Sequence, residues 1–259
     1  MDAIGRYPRL TGNPNEWLIS DAPMRCPYLP RQTARLPLRL PVRPLDHEEF
    51  ARCLEAGDRR QGLLLYRPSC PTCRACEAIR IDVNAFKPSR TQRRVFRQGE
   101  VTFDTQIGRP TLTAEKVALY NRHKVERDLL VSSELVDAAA YEEFLVETCT
   151  DTVELSYRQA GALVGVAIAD RARNALSAVY CFYDPAYGRL SPGTYSILKQ
   201  IALCRSWGLS YLYLGLYVAD CASMNYKARY LPHERLIEGR WRRFESGERP
   251  HVPEASQKS

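Results

Sequence analysis

The chain has 259 residues, 45% hydrophobic and 26% charged, with a formal net charge of +7. That is ample length for a buried core in one large or two moderate domains, with the composition of an ordinary globular protein. No run of about 18 apolar residues occurs and MDAIGRYPRL at the start has no hydrophobic signal core, so no membrane-spanning helix is expected and the protein is read as cytoplasmic.

Residues 1 to 45 are rich in Pro and Arg and predict a surface segment with one or two short strands. Asp46 can cap a helix that exits at Gly57, with Phe50, Cys53 and Leu54 on one face. GLLLYRP reads as a buried strand. AIRIDVNAF alternates, placing Ile79, Ile81 and Val83 on one side and Arg80 and Asp82 on the other. A short basic helix over SRTQRRVFRQG follows, and the first domain is expected to close near residue 105.

In the second part, Thr113 begins one helix and Asp137 caps another, DAAAYEEFLVETC. Three strands, TVELSYR, ALVGVAIAD and ALSAVYCFYDP, come in close order, the first two joined by the hairpin signal Gln159-Ala160-Gly161. Ser191 as cap and Pro192 in the first turn open a long helix that stops at Gly208. SYLYLGLYV is a further strand, and residues 251–259 are expected to be a disordered tail after a domain spanning 106–250.

Two features carry chemistry. Cys70, Cys73 and Cys76 stand two residues apart from one another, a pitch at which thiolates fold back onto one metal ion or cluster, and Cys26 is a candidate fourth ligand. Nine cysteines without an export signal argue against a disulfide framework. Cys53, Cys149, Cys181 and Cys204 lie in apolar or helical patterns and read as core. Between Arg59 and Arg97 stand ten basic residues against two acidic ones, Glu77 and Asp82, so the charge excess of the whole chain is concentrated there. Such a patch suits a nucleic acid; a solvated basic face is the plain alternative.

The order of elements, two helices, three antiparallel strands, a long helix and a strand, is that of an α+β, acyltransferase-like (GNAT-like) split mixed sheet, here with a smaller N-terminal cysteine-containing domain. The cleft would open between the strand ending at Tyr183 and that beginning at Tyr211, with the helix start at Gly193 and Thr194 pointing into it. No serine elbow, P-loop, dinucleotide glycine pattern or histidine pair is present. The phosphate loop usual in acetyl-coenzyme A enzymes is also missing: Arg189 is followed by LSPG, one residue out of step.

Taken together, CPYLP, LLYRPSCPTCRACEAIRI, KPSRTQRR, YDP with GTYSIL, and YLYLGLYV continuing to MNYKARY resemble the bacterial aminoacyl-tRNA-protein transferases, in particular the aspartate/glutamate leucyltransferases related to eukaryotic arginyl-tRNA-protein transferase. The resemblance runs in order from about residue 20 to 245. It implies an N-degron-pathway enzyme that moves leucine from its tRNA to the α-amine of proteins beginning with Asp or Glu. It also implies that Cys26, Cys70, Cys73 and Cys76 match a set proposed to hold an iron-sulfur cluster; by spacing alone Zn²⁺ or a metal-free fold with buried thiols serves equally.

An aminoacyl ester is already activated, so the enzyme must chiefly position a neutral amine, stabilise the oxyanion and release the ribose hydroxyl. Tyr226 and Lys227 are candidates for the oxyanion or acceptor, and Asp184 for orienting or deprotonating the amine. Against these stand a half-buried ring for Tyr226 and a turn residue for Asp184. Arg80, Lys227 or Arg229 could pair with an acidic acceptor, and Arg93 and Arg94 with tRNA phosphate. In the family pattern a lysine commonly stands where this chain has Ser223, and a leucine where it has Pro192. Rival readings are arginine as the transferred residue, an acetyl-coenzyme A enzyme, and a metal-stapled RNA-binding protein.

Overall fold

The structure is a computed structural model in which residues 7–129 and 134–245 are described; the expected tail at 251–259 lies outside them. The N-terminal segment contains β1 (Arg9–Leu10), β2 (Glu16–Ser20), β3 (Pro23–Arg25), β4 (Thr33–Arg35) and β5 (Leu38–Pro41), more strands than expected. Strands of two to five residues are too short to show a period. In α1 (His47–Glu55) the Asp46 carboxylate accepts from the N–H groups of Glu48 and Glu49, while the Glu49 carboxylate accepts in return from Asp46 N at 3.0 Å. This reciprocal cap satisfies donors that a helix start otherwise leaves free. Next come β6 (Arg59–Gln61), β7 (Leu64–Tyr66), β8 (Glu77–Asp82), α2 (Arg90–Thr102) and β9 (Asp104–Gly108).

Thr113 caps α3 (Ala114–Glu126) and Asp137 caps α4 (Ala138–Tyr141), as their sequences predict. The expected helix after Asp137 is shorter than its pattern: one α turn passes into a wider π turn over Glu142–Val146. Strands β10 (Thr152–Gln159), β11 (Ala162–Ala172) and β12 (Ala175–Tyr183) follow, then a 3₁₀ turn over Pro185–Leu190 and α5 (Pro192–Ser206). Ser191 does not cap α5 with its side chain; it sits in the left-handed region at φ 54°, and Pro192 takes the first helical position. The chain then forms β13 (Tyr211–Tyr217), α6 (Ala222–Asn225), a 3₁₀ turn over Tyr226–Arg229, and the hairpin β14 (His233–Ile237) and β15 (Arg240–Phe244).

Among the described residues the larger sheet runs β15-β14-β8-β13-β12-β11-β10-β9, and the smaller β1-β2-β5-β7-β6; β3 and β4 pair separately. Every pairing in the larger sheet is antiparallel except β12 with β13, so the fold is α+β with a mixed sheet. The division expected near residue 105 does not follow the strands. It falls inside β9, and β8, from the N-terminal side, lies between β14 and β13 deep in the larger sheet. The reason is burial: Ala78, Ile79, Arg80 and Ile81 are all shielded, which requires neighbours on both edges of β8.

Helices α2 and α5 cover one face of this sheet, burying Val95, Phe103, Tyr195, Leu198 and Ile201 against Ile79, Ile81, Leu155 and Leu212. On the other side α3 and α4 bring Leu119, Tyr120 and Tyr141 onto Val166, Ile168 and Phe182, and α1 brings Phe50 and Leu54 onto Ala172 and Tyr213. Among the described residues no helix is long and apolar enough to cross a membrane.

The α2–α5 contact is close because Gly99 faces the Tyr195 ring: an added Cβ would lie 2.1 Å from Tyr195 Cδ2. Gly99→Ala would ordinarily strengthen a helix by about 1 kcal/mol, but here overpacking, about 1–3 kcal/mol, outweighs it. A lowered urea midpoint is expected, and a midpoint at or above that of the wild type would show that the ring yields freely.

Candidate active site

Strands β12 and β13 pair in parallel only from Ala175 to Ser177 against Tyr211 to Tyr213. Just past these pairs both strands carry a bulge. Val179 is extra in the β12 register against β11, and the β13 register against β8 shifts between Tyr213 and Leu216, where Gly215 adopts φ 84°. A bulge bends its strand, so the two strands part here. A cavity of about 750 Å³ opens between them. Its walls are Ala178 to Cys181 and Tyr183 of β12, Leu214 to Leu216 of β13, and the α5 face of Gly193, Thr194, Ile197 and Gln200. Tyr28, Arg59 and Tyr66 close it from the N-terminal side, His123 and Arg127 from the end of α3, and Met224, Tyr226 and Lys227 from the turn after β13. The split expected from the order of elements is where the cavity lies.

Lys227 is buried at the mouth of this turn, where its Nζ donates to Leu216 O at 2.6 Å. Burial first, then the charge of Arg59, brings its pKa down to about 7, against the opposing effect of the Cys221 thiol. Tyr226 keeps 38% of its surface exposed, and desolvation raises the pKa of its hydroxyl, leaving a donor. Thr194 hydrogen-bonds Tyr230. The N–H groups in the first turn of α5, at Gly193 and Thr194, have no intrahelical acceptor and face the cavity side. His123 is held near pKa 4 by burial, then by Arg127, and its neutral ring lies with Nδ1 2.8 Å from Tyr183 O. Gln200 donates to Ser196 Oγ at 3.1 Å, while its carbonyl oxygen is buried without a partner among the described residues.

Other expected site residues lie elsewhere. Asp184 is engaged as the cap of the 3₁₀ turn, accepting from Ala186 N at 3.0 Å, and pairs with Arg122 at 2.7 Å; it does not line the cavity. Arg80 is clamped by Glu55 at 2.5 Å and Glu234 at 2.7 Å and stacks over Tyr211 and Trp241, each 4.1 Å away, so it is not free for an acceptor. The Tyr211 and Trp241 rings and Glu55 at the end of α1 cover the Arg80 side of β8, which the alternation could not show. Arg229 is exposed outside the cavity, its carbonyl accepting from Gln92 Nε2. Arg93 and Arg94 are exposed on α2, and Arg93 lines a separate cavity of about 290 Å³ with Phe86, Phe96 and Arg97.

Cys26, Cys70, Cys73 and Cys76 are free thiols. Burial, then the neighbouring thiols of Cys26, Cys70, Cys73 and Cys221, push Cys76 up to about 12. Sequence spacing therefore gathered the right neighbours and missed Cys221. Among the described residues no group of three or more His, Cys, Asp or Glu side chains is gathered around one point.

Arg59 and Gln200 were also missed. Helical spacing from Gly193 through Ile197 could have found Gln200; nothing local marks Arg59, which reaches the cavity only through the pairing of β6 with β7.

Residues 24–94 match the family described as arginine-tRNA-protein transferase, N terminus, and residues 115–237 its C terminus. The chain is 38% identical over 226 residues to the aspartate/glutamate leucyltransferase of Chromobacterium violaceum, covering 87% of this chain and 93% of that one. The enzyme of the same name from Aeromonas hydrophila is 37% identical, with 86% and 92% covered; that of Pseudomonas fluorescens is 38% identical, with 85% and 93% covered. Among solved structures, L-PGS from Bacillus licheniformis aligns with a TM-score of 0.47 at 11% identity, covering 68% of this chain and 62% of that one. With both halves of the family pattern matched, and such identity to relatives covered almost end to end, the chain belongs to the arginine-tRNA-protein transferase family.

Proposed function

We propose that this protein transfers leucine from leucyl-tRNA to the α-amine of proteins whose first residue is Asp or Glu, on an acyltransferase-like, GNAT-like split sheet with charged tRNA in place of acyl-coenzyme A. The observation that carries the mechanism is Lys227, a buried amine with a pKa near 7 facing the cavity. An α-ammonium titrates near 8. Lys227 in its neutral form therefore takes the acceptor's proton at little cost. Lys227 passes that first proton to solvent, the freed amine attacks the ester carbonyl, the oxyanion meets the Gly193 and Thr194 N–H groups and the Tyr226 hydroxyl, and Lys227 then takes the second proton from the attacking nitrogen and gives it to the departing ribose oxygen.

Leucine is favoured over arginine by the cavity lining. Val179, Ile197, Leu214 and Leu216 present apolar surface, and among the described residues no Asp or Glu lines the cavity to meet a guanidinium. The same lack of carboxylates leaves room for an acidic acceptor. Lys87, Arg90, Arg93, Arg94 and Arg97 are exposed along and before α2, which suits the phosphates of the tRNA acceptor arm.

The defining test offers leucyl-tRNA or arginyl-tRNA with peptides beginning Asp, Glu, Lys or Ala. Leucine transfer to the first two alone is expected; transfer to none would reject the enzyme. The pH dependence has a definite sign. Because burial favours neutral Lys227, base is lost as pH falls, so the rate should rise with pH through about 7 and then level. Lys227→Met should slow transfer by about 100-fold or more and flatten that limb, whereas an unaltered profile would remove Lys227 from the chemistry.

For tRNA binding, the Arg93→Gln and Arg94→Gln double variant should flatten the slope of log affinity against log salt by about 0.7–0.9 per lost phosphate contact. An unchanged slope would place the acceptor arm off α2.

A further inference from the structure

Among the described residues the buried lysine and arginine side chains are Arg59, Arg60, Arg80, Lys116, Lys227 and Arg235. Four of them have carboxylate partners: Arg60 with Asp170 at 2.7 Å, Arg80 with Glu55 and Glu234, Lys116 with Glu154 at 2.7 Å, and Arg235 with Glu77 at 3.0 Å. Lys227 relieves its burial by giving up a proton. Arg59 cannot, since a guanidinium stays charged at any ordinary pH, and among the described residues no carboxylate pairs with it. An uncompensated buried charge is costly, and it persists here at the edge of the active cavity.

Its placement is specific. Arg59 is 7% exposed and lines the cavity. Its Nη1 donates to Ser177 Oγ at 2.8 Å and its Nη2 to Ala178 O at 2.7 Å, the point where β12 leaves β13. Across the gap the guanidinium lies against Gly215, where an added Cβ would stand 3.0 Å from Nη2. These two bonds use two of its five N–H groups. The neutral partners hold the cation in place without discharging it.

Resting on the transferase reading above, we infer that Arg59 reads the side-chain carboxylate of the acceptor's first residue. The α-amine and side-chain carboxylate of an N-terminal Asp or Glu are separated by only a few covalent bonds, so an amine docked at Lys227 brings its carboxylate to the neighbouring cation. Arg80 is clamped elsewhere and Arg229 lies outside the cavity. Arg127 is the other cation of the lining, but it is exposed at the rim and stacks over the Tyr183 ring at 5.3 Å. The lining therefore offers a buried fork for a carboxylate at Arg59 and an exposed charge at Arg127.

The test is the ratio of kcat/KM for peptides beginning Asp and Asn, and Glu and Gln, with leucyl-tRNA as donor. Arg59→Gln should lower the acid-to-amide ratio by about 100-fold; the ratio is the readout because losing the Arg59 charge also lets the Lys227 pKa rise, which slows acid and amide peptides alike. Arg59→Lys, which keeps charge but not the fork, should give an intermediate ratio, and this carries the test should Arg59→Gln not fold. Arg127→Gln should leave the ratio as in the wild type. Proportional loss on acid and amide peptides in Arg59→Gln, an unchanged ratio in Arg59→Lys, or a collapsed ratio in Arg127→Gln would each overturn the inference while leaving the transferase intact. Wild-type transfer to no peptide would reject the transferase and this inference with it.

Discussion

The parting of β12 from β13 is the constraint on which the rest of the molecule depends. Three residue pairs join the strands, after which bulges at Val179 and around Gly215 turn them away from each other. Parting exposes strand edges, and exposed edges in a protein interior need partners for their N–H and C=O groups. Here the partners come from outside the strand pair. Arg59 donates to Ala178 O and Lys227 donates to Leu216 O, so both parted edges receive a hydrogen bond from a basic side chain. The groups that keep the split open are the same ones that face its contents.

This double duty has an electrostatic consequence. Two basic groups in one desolvated space cannot both remain charged cheaply, and only one of them can release a proton. Arg59 keeps its charge, and Lys227 is pushed toward the neutral amine. An amine pushed toward neutrality and a fixed cation thus arise from one interaction, and no Asp or Glu of the described lining pairs with either. Elsewhere the chain places carboxylates generously: Asp58 receives both Arg39 and Arg67, and Glu49 receives Arg43. Among the described residues carboxylates are absent from the lining of this cavity, whereas elsewhere they meet buried bases such as Arg60 and Lys116.

How far the sequence disclosed this depends on whether the determinant is local. The caps at Asp46, Thr113 and Asp137, the hairpin between β10 and β11, and the Pro192 start of α5 each rest on neighbours within a few residues, and each is legible. Tyr226 and Lys227, singled out on the motif, line the cavity because motif and turn coincide. Asp184 was read for chemistry, but its position before Pro185 already allowed the capping role it takes. Arg80 is not free as expected because alternation distinguishes two faces of a strand without saying what covers either, and Tyr211, Trp241 and Glu55 cover the polar one. Arg59 was invisible, since its role is created by contact with residues 118 and 119 positions away.

The same distinction explains why β8, from the N-terminal part of the chain, sits inside the larger sheet. β8 is short, and every inner residue of it is buried, so it gains its stability from β13 and β14 together. Its pairing with β13 sets Glu77 opposite Tyr217, which brings Cys76 beside the strand end from which the chain runs on to Cys221 and Lys227. The Cys76 and Cys221 thiols feel each other, and Cys221 in turn acts on Lys227. The cysteine loop and the turn carrying Lys227 therefore lie side by side, and their placement follows from strand register.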